Sequence, residues 1–184
     1  MKEIKLQIPE GKKAEWVNDV LTLVDEKPQD VTERIKTFDD AIRELGENHP
    51  LVKEWAVFGL NLSPDLKAYL RLRIITAVLN EGWEPQFTKG ERRWYFWYDL
   101  ITKEQYYKLS AEDKRRVVGR GGFSVGEVHG LVFSSAFHAS SHSGTHYGSR
   151  LAFKSEKLAA YAGRQFAEIY ADFCFKPKSE EKKG

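Results

Sequence analysis

Five aromatic rings stand in succession from Trp94 to Tyr98, inside the run ERRWYFWYDL. A strand sends successive side chains to opposite faces, so this segment predicts a β-strand with rings on both sides. Such a strand has to be buried on both faces, or covered on one of them by a loop. The rings suit a core wall better than a solvated face. With 184 residues the chain is long enough to build that core as one cooperative unit.

The elements around the strand follow from local signals. SPDLKAYLRLRIITAVLNEGW reads as a core helix: Ser63 caps it, Pro64 takes its first position, Asp65 suits the positive end of its dipole and Gly82 stops it. Its apolar side is expected at Leu66, Tyr69, Leu70, Ile74, Val78 and Leu79. Upstream, Ile4, Leu6 and Ile8 alternate with polar residues and predict a short strand ending at Pro9 to Gly11, followed by a mixed helical stretch through Val24. Thr37 caps a short helix with an acidic first turn, for which Gly46 and Pro50 act as stop signals. Downstream, Thr102 and Gln105 form a capping box, and Ser110 with Asp113 marks another cap before an expected strand RRVVG. GSRLAFK predicts a further strand. Ser155 then caps a last helix with the stripe Leu158, Ala162, Phe166, Ile169 and Phe173. From Gly121 to Tyr147 the patterning fails, apart from the brief run GLVF.

Composition narrows the partners. Charged residues make up 30% but the net charge is only +2, so neither nucleic acid nor a membrane surface is expected. The single cysteine, Cys174, rules out an intrachain disulfide and a thiolate metal cluster, and its expected role is packing. The amino terminus lacks the apolar region of a secretion signal, so synthesis in the cytoplasm is expected, with later association with a virion left open. The charged tail at residues 177–184 is expected to be disordered.

Two motifs invite chemistry. GFSVG matches the nucleophile elbow G-x-S-x-G, with Ser124 as nucleophile. An elbow needs a strand before it, a helix after it and a later acid; VGEVHGLVF supplies no helix, and Glu127 is too near to be the acid. Four of the five histidines, His129, His138, His142 and His146, fall close together, and a helix would align the last three as metal ligands. HASSHSGTHYG is a poor helix, and Glu127 is the only local carboxylate. These histidines therefore read as contact residues on an exposed surface. The expectation is no enzyme, no metal and no cofactor.

The segment RVVGRGGFSVGEVHGLVFSSAFHASSHSGTHYGSRLAFKS resembles the variable region of proteins diversified by a diversity-generating retroelement, found in phages and bacteria. A fixed GG leads into a run of diversified positions, which ends at a G-[FS]-R-[LV] element, here Gly148, Ser149, Arg150 and Leu151. The flanks NEGWEPQFT, RRWYFWY and GSRLAFKSEKLAAYAGRQFAEIYADF extend the resemblance from Leu66 to Phe173. Residue usage agrees with it. Adenine mutagenesis of asparagine codons cannot produce Lys, Gln, Glu, Met or Trp, and from Phe123 to Tyr147 only Glu127 departs from that rule. Asn, the unmutated residue, is absent there too.

The resemblance implies an α+β, C-type-lectin-like domain with several helices, small antiparallel sheets and an extra C-terminal helix; some such families use an immunoglobulin-like carrier instead. The expected organisation is an N-terminal strand and helices over residues 1–62, packed on a main domain at 63–176 whose variable region spans about 120–150. The implied function is binding of a protein or glycan ligand, with oligomerisation or attachment to a phage particle as an option. The variable contact residues are Phe123, Val125, Val128, His129, Ser134, Ser135, Phe137, His138, Ser141, His142, Ser143, Thr145, His146 and Tyr147. Rings supply area and small polar residues adaptable hydrogen bonds. Leu131, Phe133, Leu151 and Phe153 are expected in the core, holding that face rigid. The alternatives are a small phage structural or assembly protein with a tolerant surface loop and, behind it, a serine hydrolase using Ser124.

Overall fold

The computed structural model describes residues 7–26, 28–59, 61–119, 128–140 and 149–175. Among these the chain is a mixed α+β protein with eight helices and two small antiparallel sheets. No helix among them is long and apolar enough to cross a membrane.

The first sheet is a hairpin, β1 (Lys12–Val17) and β2 (Val20–Asp25). Asn18 and Asp19 both take left-handed backbone angles, φ 48° and 63°, which is the two-residue turn that matches the twist of paired strands. This corrects the helical reading of the segment up to Val24: the turn residues, and not apolar spacing, decide its structure. Ile8 lies outside any strand, while Ile4 and Leu6 fall outside the described residues.

Four helices follow: α1 (Val31–Arg34), α2 (Phe38–Leu45), α3 (Pro50–Phe58) and α4 (Pro64–Asn80). Thr37 and Asp40 form a reciprocal capping box on α2, and Gly46 ends the helix at φ 80°. Pro50, expected as a stop, instead opens α3 at its first position. Ser63 occupies the cap of α4 without a side-chain bond. Leu70, Ile74, Val78 and Leu79 are buried as expected; Leu66 is exposed, and Leu72, Ile75, Thr76 and Asn80 are buried as well. The second half of α4 is therefore buried all round, with α2 and α3 against it on one side and α7 (Glu156–Gln165) and α8 (Ala167–Cys174) against it on the other.

The second sheet pairs β3 (Arg92–Thr102) with β4 (Val128–Ser140). Single bridges extend it on both sides, Val118 to Leu131 and Trp94 to Phe153. One face presents Trp94, Phe96 and Tyr98 to the helices, where Phe96 meets Tyr170 edge-on at 4.5 Å and the Tyr98 hydroxyl donates to the Gly163 carbonyl at 2.7 Å. On the other face Arg93 and Tyr95 are buried, with Phe87 of the preceding loop 4.5 Å from the Arg93 guanidinium. The strand is thus covered on both faces over its first half, while Trp97 is half exposed.

Three expected elements differ. Lys114 to Arg116 close α6 (Ala111–Arg116), which follows α5 (Lys103–Lys108), and of RRVVG only Val118 bridges to a strand. GSRLAFK is a 3-10 turn at Ser149–Leu151 and one bridge at Phe153. The last helix is two helices broken at Phe166, with the expected stripe running through the break and Cys174 exposed at its end. The tail at 177–184 lies outside the described residues.

Candidate functional site

The unpatterned stretch becomes, over Val128–Ser140, a long strand held by β3. Its register shifts twice, between Ile101 and Thr102, where His129 is skipped, and between Trp97 and Tyr98: there Trp97 faces Ser135, Tyr98 faces Phe133, and Ser134 is the extra residue of a β-bulge. The bulge sets the two faces. Phe133 and Ala136 are three residues apart, yet both pack on the core, because Ser134 and Ser135 are both displaced outward. Without it, strict alternation would put one of those two on the wrong side.

The expected contact residues divide accordingly. Ser134, Ser135 and Phe137 are exposed, Phe137 to 60%. His138 is half-buried, its ring 4.7 Å from Trp94 on the inner face, and stacks on Phe137 at 5.4 Å. His129 is half-buried against Tyr106 at 4.7 Å, and Val128 packs beside Leu131. His129 and His138 are therefore edge residues, less open than the surface reading expects. Phe123, Val125, Ser141, His142, Ser143, Thr145, His146 and Tyr147 fall outside the described residues, as does Ser124 of the elbow motif. Among the described residues no group of three His, Cys, Asp or Glu side chains is arranged to hold a metal.

The support beneath the face is as expected: Leu131, Leu151 and Phe153 are buried and Phe133 is partly buried. Asn80, at the end of α4, fastens the segment that follows the unpatterned stretch. Its side-chain amide donates to the Ala152 carbonyl at 2.8 Å and its side-chain carbonyl accepts from the Lys154 N–H at 3.1 Å. Next to it Glu81 takes Lys154 at 2.9 Å and Arg34 at 3.1 Å; the Lys154 bond, chiefly, lowers the Glu81 pKa. The end of the central helix thereby fixes where the chain re-enters the core.

A cleft of about 560 Å³ borders the outer face, between the end of α6, β4 and α7. Arg115, Arg116 and Arg164 line it together with Val132, Phe133 and Ser134. Arg164 lies over the Phe133 ring at 4.2 Å, and Arg116 bonds Glu112 at 2.8 Å. The exposed Ser134 hydroxyl, the partly buried Phe133 ring and guanidinium groups thus line one cleft, a mixture suited to contact area, hydrogen bonding and pairing with carboxylates. Sequence reasoning missed these arginines because they come from two helices distant in sequence, and only the fold brings them to Ser134. Comparisons with protein-family models, with curated proteins and with solved structures find no match for this chain.

Proposed function

We propose that the chain is a ligand-binding protein that presents a hypervariable surface, generated by retroelement mutagenesis, on a C-type-lectin-like domain. The observation that carries this reading is the division of β4 into an outer row, Ser134, Ser135 and Phe137, and an inner row, Leu131 and Phe133, on one strand. Ser134, Ser135 and Phe137, expected to vary, stand outward and the positions expected to be fixed face the core, while His138 and Val128 pack inward at the two ends of the strand. A rigid sheet beneath a changeable row loses little ordering entropy on binding, so a few side chains can decide affinity. The ligand class is a protein or glycan bound by that row with the adjoining variable segment. The helices of the first sixty residues share the core with α4 and serve as its support.

Sequencing the genomic locus tests the reading. A nearby reverse transcriptase and a near-identical, adenine-rich copy of the DNA encoding about residues 120–150 are expected, with variants changing Ser134, Ser135 and Phe137 and sparing Leu131, Phe133, Leu151 and Phe153. Variation spread evenly over inner and outer residues, with no such copy, would favour a structural protein with a tolerant loop.

A further inference from the structure

Among the described residues no element covers the β1–β2 hairpin. From Lys12 to Val24 its residues are exposed or half-exposed, including Trp16 at 74% and Val20 at 63%. A lone two-stranded sheet is marginal in water, and three or more strands are the usual minimum. Among the described residues no strand pairs with either of its edges. Its register runs without a bulge from Lys12 opposite Asp25 to Val17 opposite Val20, so nothing twists the edge away.

The direction of the backbone groups on β1 follows from the ladder. The Gly11 carbonyl accepts from Glu26 N–H at 2.8 Å, so Gly11, Lys13, Glu15 and Val17 bond inward to β2. Ala14 and Trp16 therefore direct their N–H and C=O groups to the outer edge, as Lys12 does its C=O. The Lys12 N–H is taken by the Pro9 carbonyl at 3.1 Å.

We infer that β1 pairs antiparallel with β1 of a second copy of this chain, about a two-fold axis at Ala14, to make a continuous four-stranded sheet. The sequence KKAEW is self-complementary in that register. Ala14 meets Ala14 of the second copy and exchanges both backbone bonds with it, and each Trp16 N–H reaches the Lys12 carbonyl across the axis. Lys13 falls opposite Glu15 of the second copy, twice by symmetry. These two side chains already share a face and pair within the strand at 2.5 Å, so both signs of charge stand together on the face where the second copy would meet them. On the opposite face Lys12 falls opposite Trp16 of the second copy, where the aliphatic stem of a lysine suits an indole ring. A lysine on an edge strand ordinarily repels its own copy; Glu15, two residues on, turns that repulsion into a match.

Sedimentation of the full chain over a concentration series tests this, with the far-ultraviolet spectrum and thermal melt confirming that each variant folds. The wild type is expected to be a dimer that dissociates on dilution. Lys13→Glu sets like charges opposite one another at both symmetric positions and is expected to raise the dissociation constant about tenfold or more; Glu15→Lys is expected to do the same. Combining the two restores the match and is expected to return dimerisation to near the wild-type level. Ala14→Pro removes the N–H on the axis while leaving the inward bonds to β2, and is expected to give monomer. A wild type that stays monomeric throughout, or a dimer indifferent to Lys13→Glu and Ala14→Pro, overturns the interface. Failure of the double exchange to restore the dimer overturns the register. None of these residues belongs to the variable row, so the outcome is independent of the ligand-binding proposal.

Discussion

Replacing Asn80 by alanine removes the fastening between the central helix and the segment at Ala152 to Lys154. Asn80 is only 3% exposed, and its amide serves Ala152, itself fully buried, and Lys154. Once the side chain is gone, the Ala152 carbonyl has no water to turn to, and an orphaned buried acceptor costs about 1–3 kcal/mol. The Lys154 N–H belongs to a half-buried residue and recovers some hydration, so its loss is nearer the lower end of that range. Together these give about 2–4 kcal/mol of destabilisation, measured as a shift of the urea midpoint at unchanged slope. Asn80→Asp separates the two bonds, since it keeps the acceptor for Lys154 but sets a carboxylate against the Ala152 carbonyl. Protonation would restore a donor, so the deficit of that variant relative to wild type should shrink as pH falls through its carboxyl pKa. A loss below about 1 kcal/mol in Asn80→Ala, or no pH dependence of the Asn80→Asp deficit, would refute the fastening role.

Gly163→Ala should destabilise by about 1–3 kcal/mol despite the better helix propensity of alanine, because the added Cβ would stand 2.7 Å from Phe96 and 2.8 Å from Phe133; thermal melts read it. Ser135→Tyr should change stability by no more than about 0.5 kcal/mol, whereas Leu131→Ala or Leu151→Ala should cost about 2–5 kcal/mol, and equal losses in denaturant titrations would contradict the two-row strand. Asp40 accepts bonds chiefly from the Thr37 hydroxyl and N–H, which hold its pKa at about 2 against an ordinary 3.8. Its contribution is therefore complete above the ordinary value and lost as pH falls from there through about 2, and Thr37→Val should move the carboxyl resonance's midpoint upward in an NMR titration.

Features decided within a few residues were legible in the sequence. The caps at Thr37, Thr102, Ser110 and Ser155 are all present as side-chain bonds, because a cap needs only a side chain and an N–H three residues on. The aromatic strand was legible too, since its rings admit few alternatives. β4 was not, because SSAFHAS has little strand preference of its own and takes its conformation from pairing with β3, thirty and more residues earlier. The bulge hid it further by spacing Phe133 and Ala136 as no regular strand would. Leu151 and Phe153 announced burial correctly, but the partner that shapes their segment is Asn80, which nothing nearby in sequence reveals. The break at Phe166 left no trace because the apolar stripe continues across it.

The bulge at Ser134 also decides how the length of this strand can change. Removing Ser134 alone would leave a regular ladder from Gly130 to Ser140, with Phe133 and Ala136 still inward and Ser135 outward. Removing Ala136 would instead turn Phe137 into the core and His138 out to solvent, and a residue added between Ala136 and Phe137 would make the same exchange. A loop can grow or shrink by several residues and keep its anchors, but from Gly130 to Ser140 this strand has one point, the bulge, at which a residue can be lost without exchanging inside for outside. Descendants of this chain should therefore differ along β4 by which side chains they carry and hardly ever by how many.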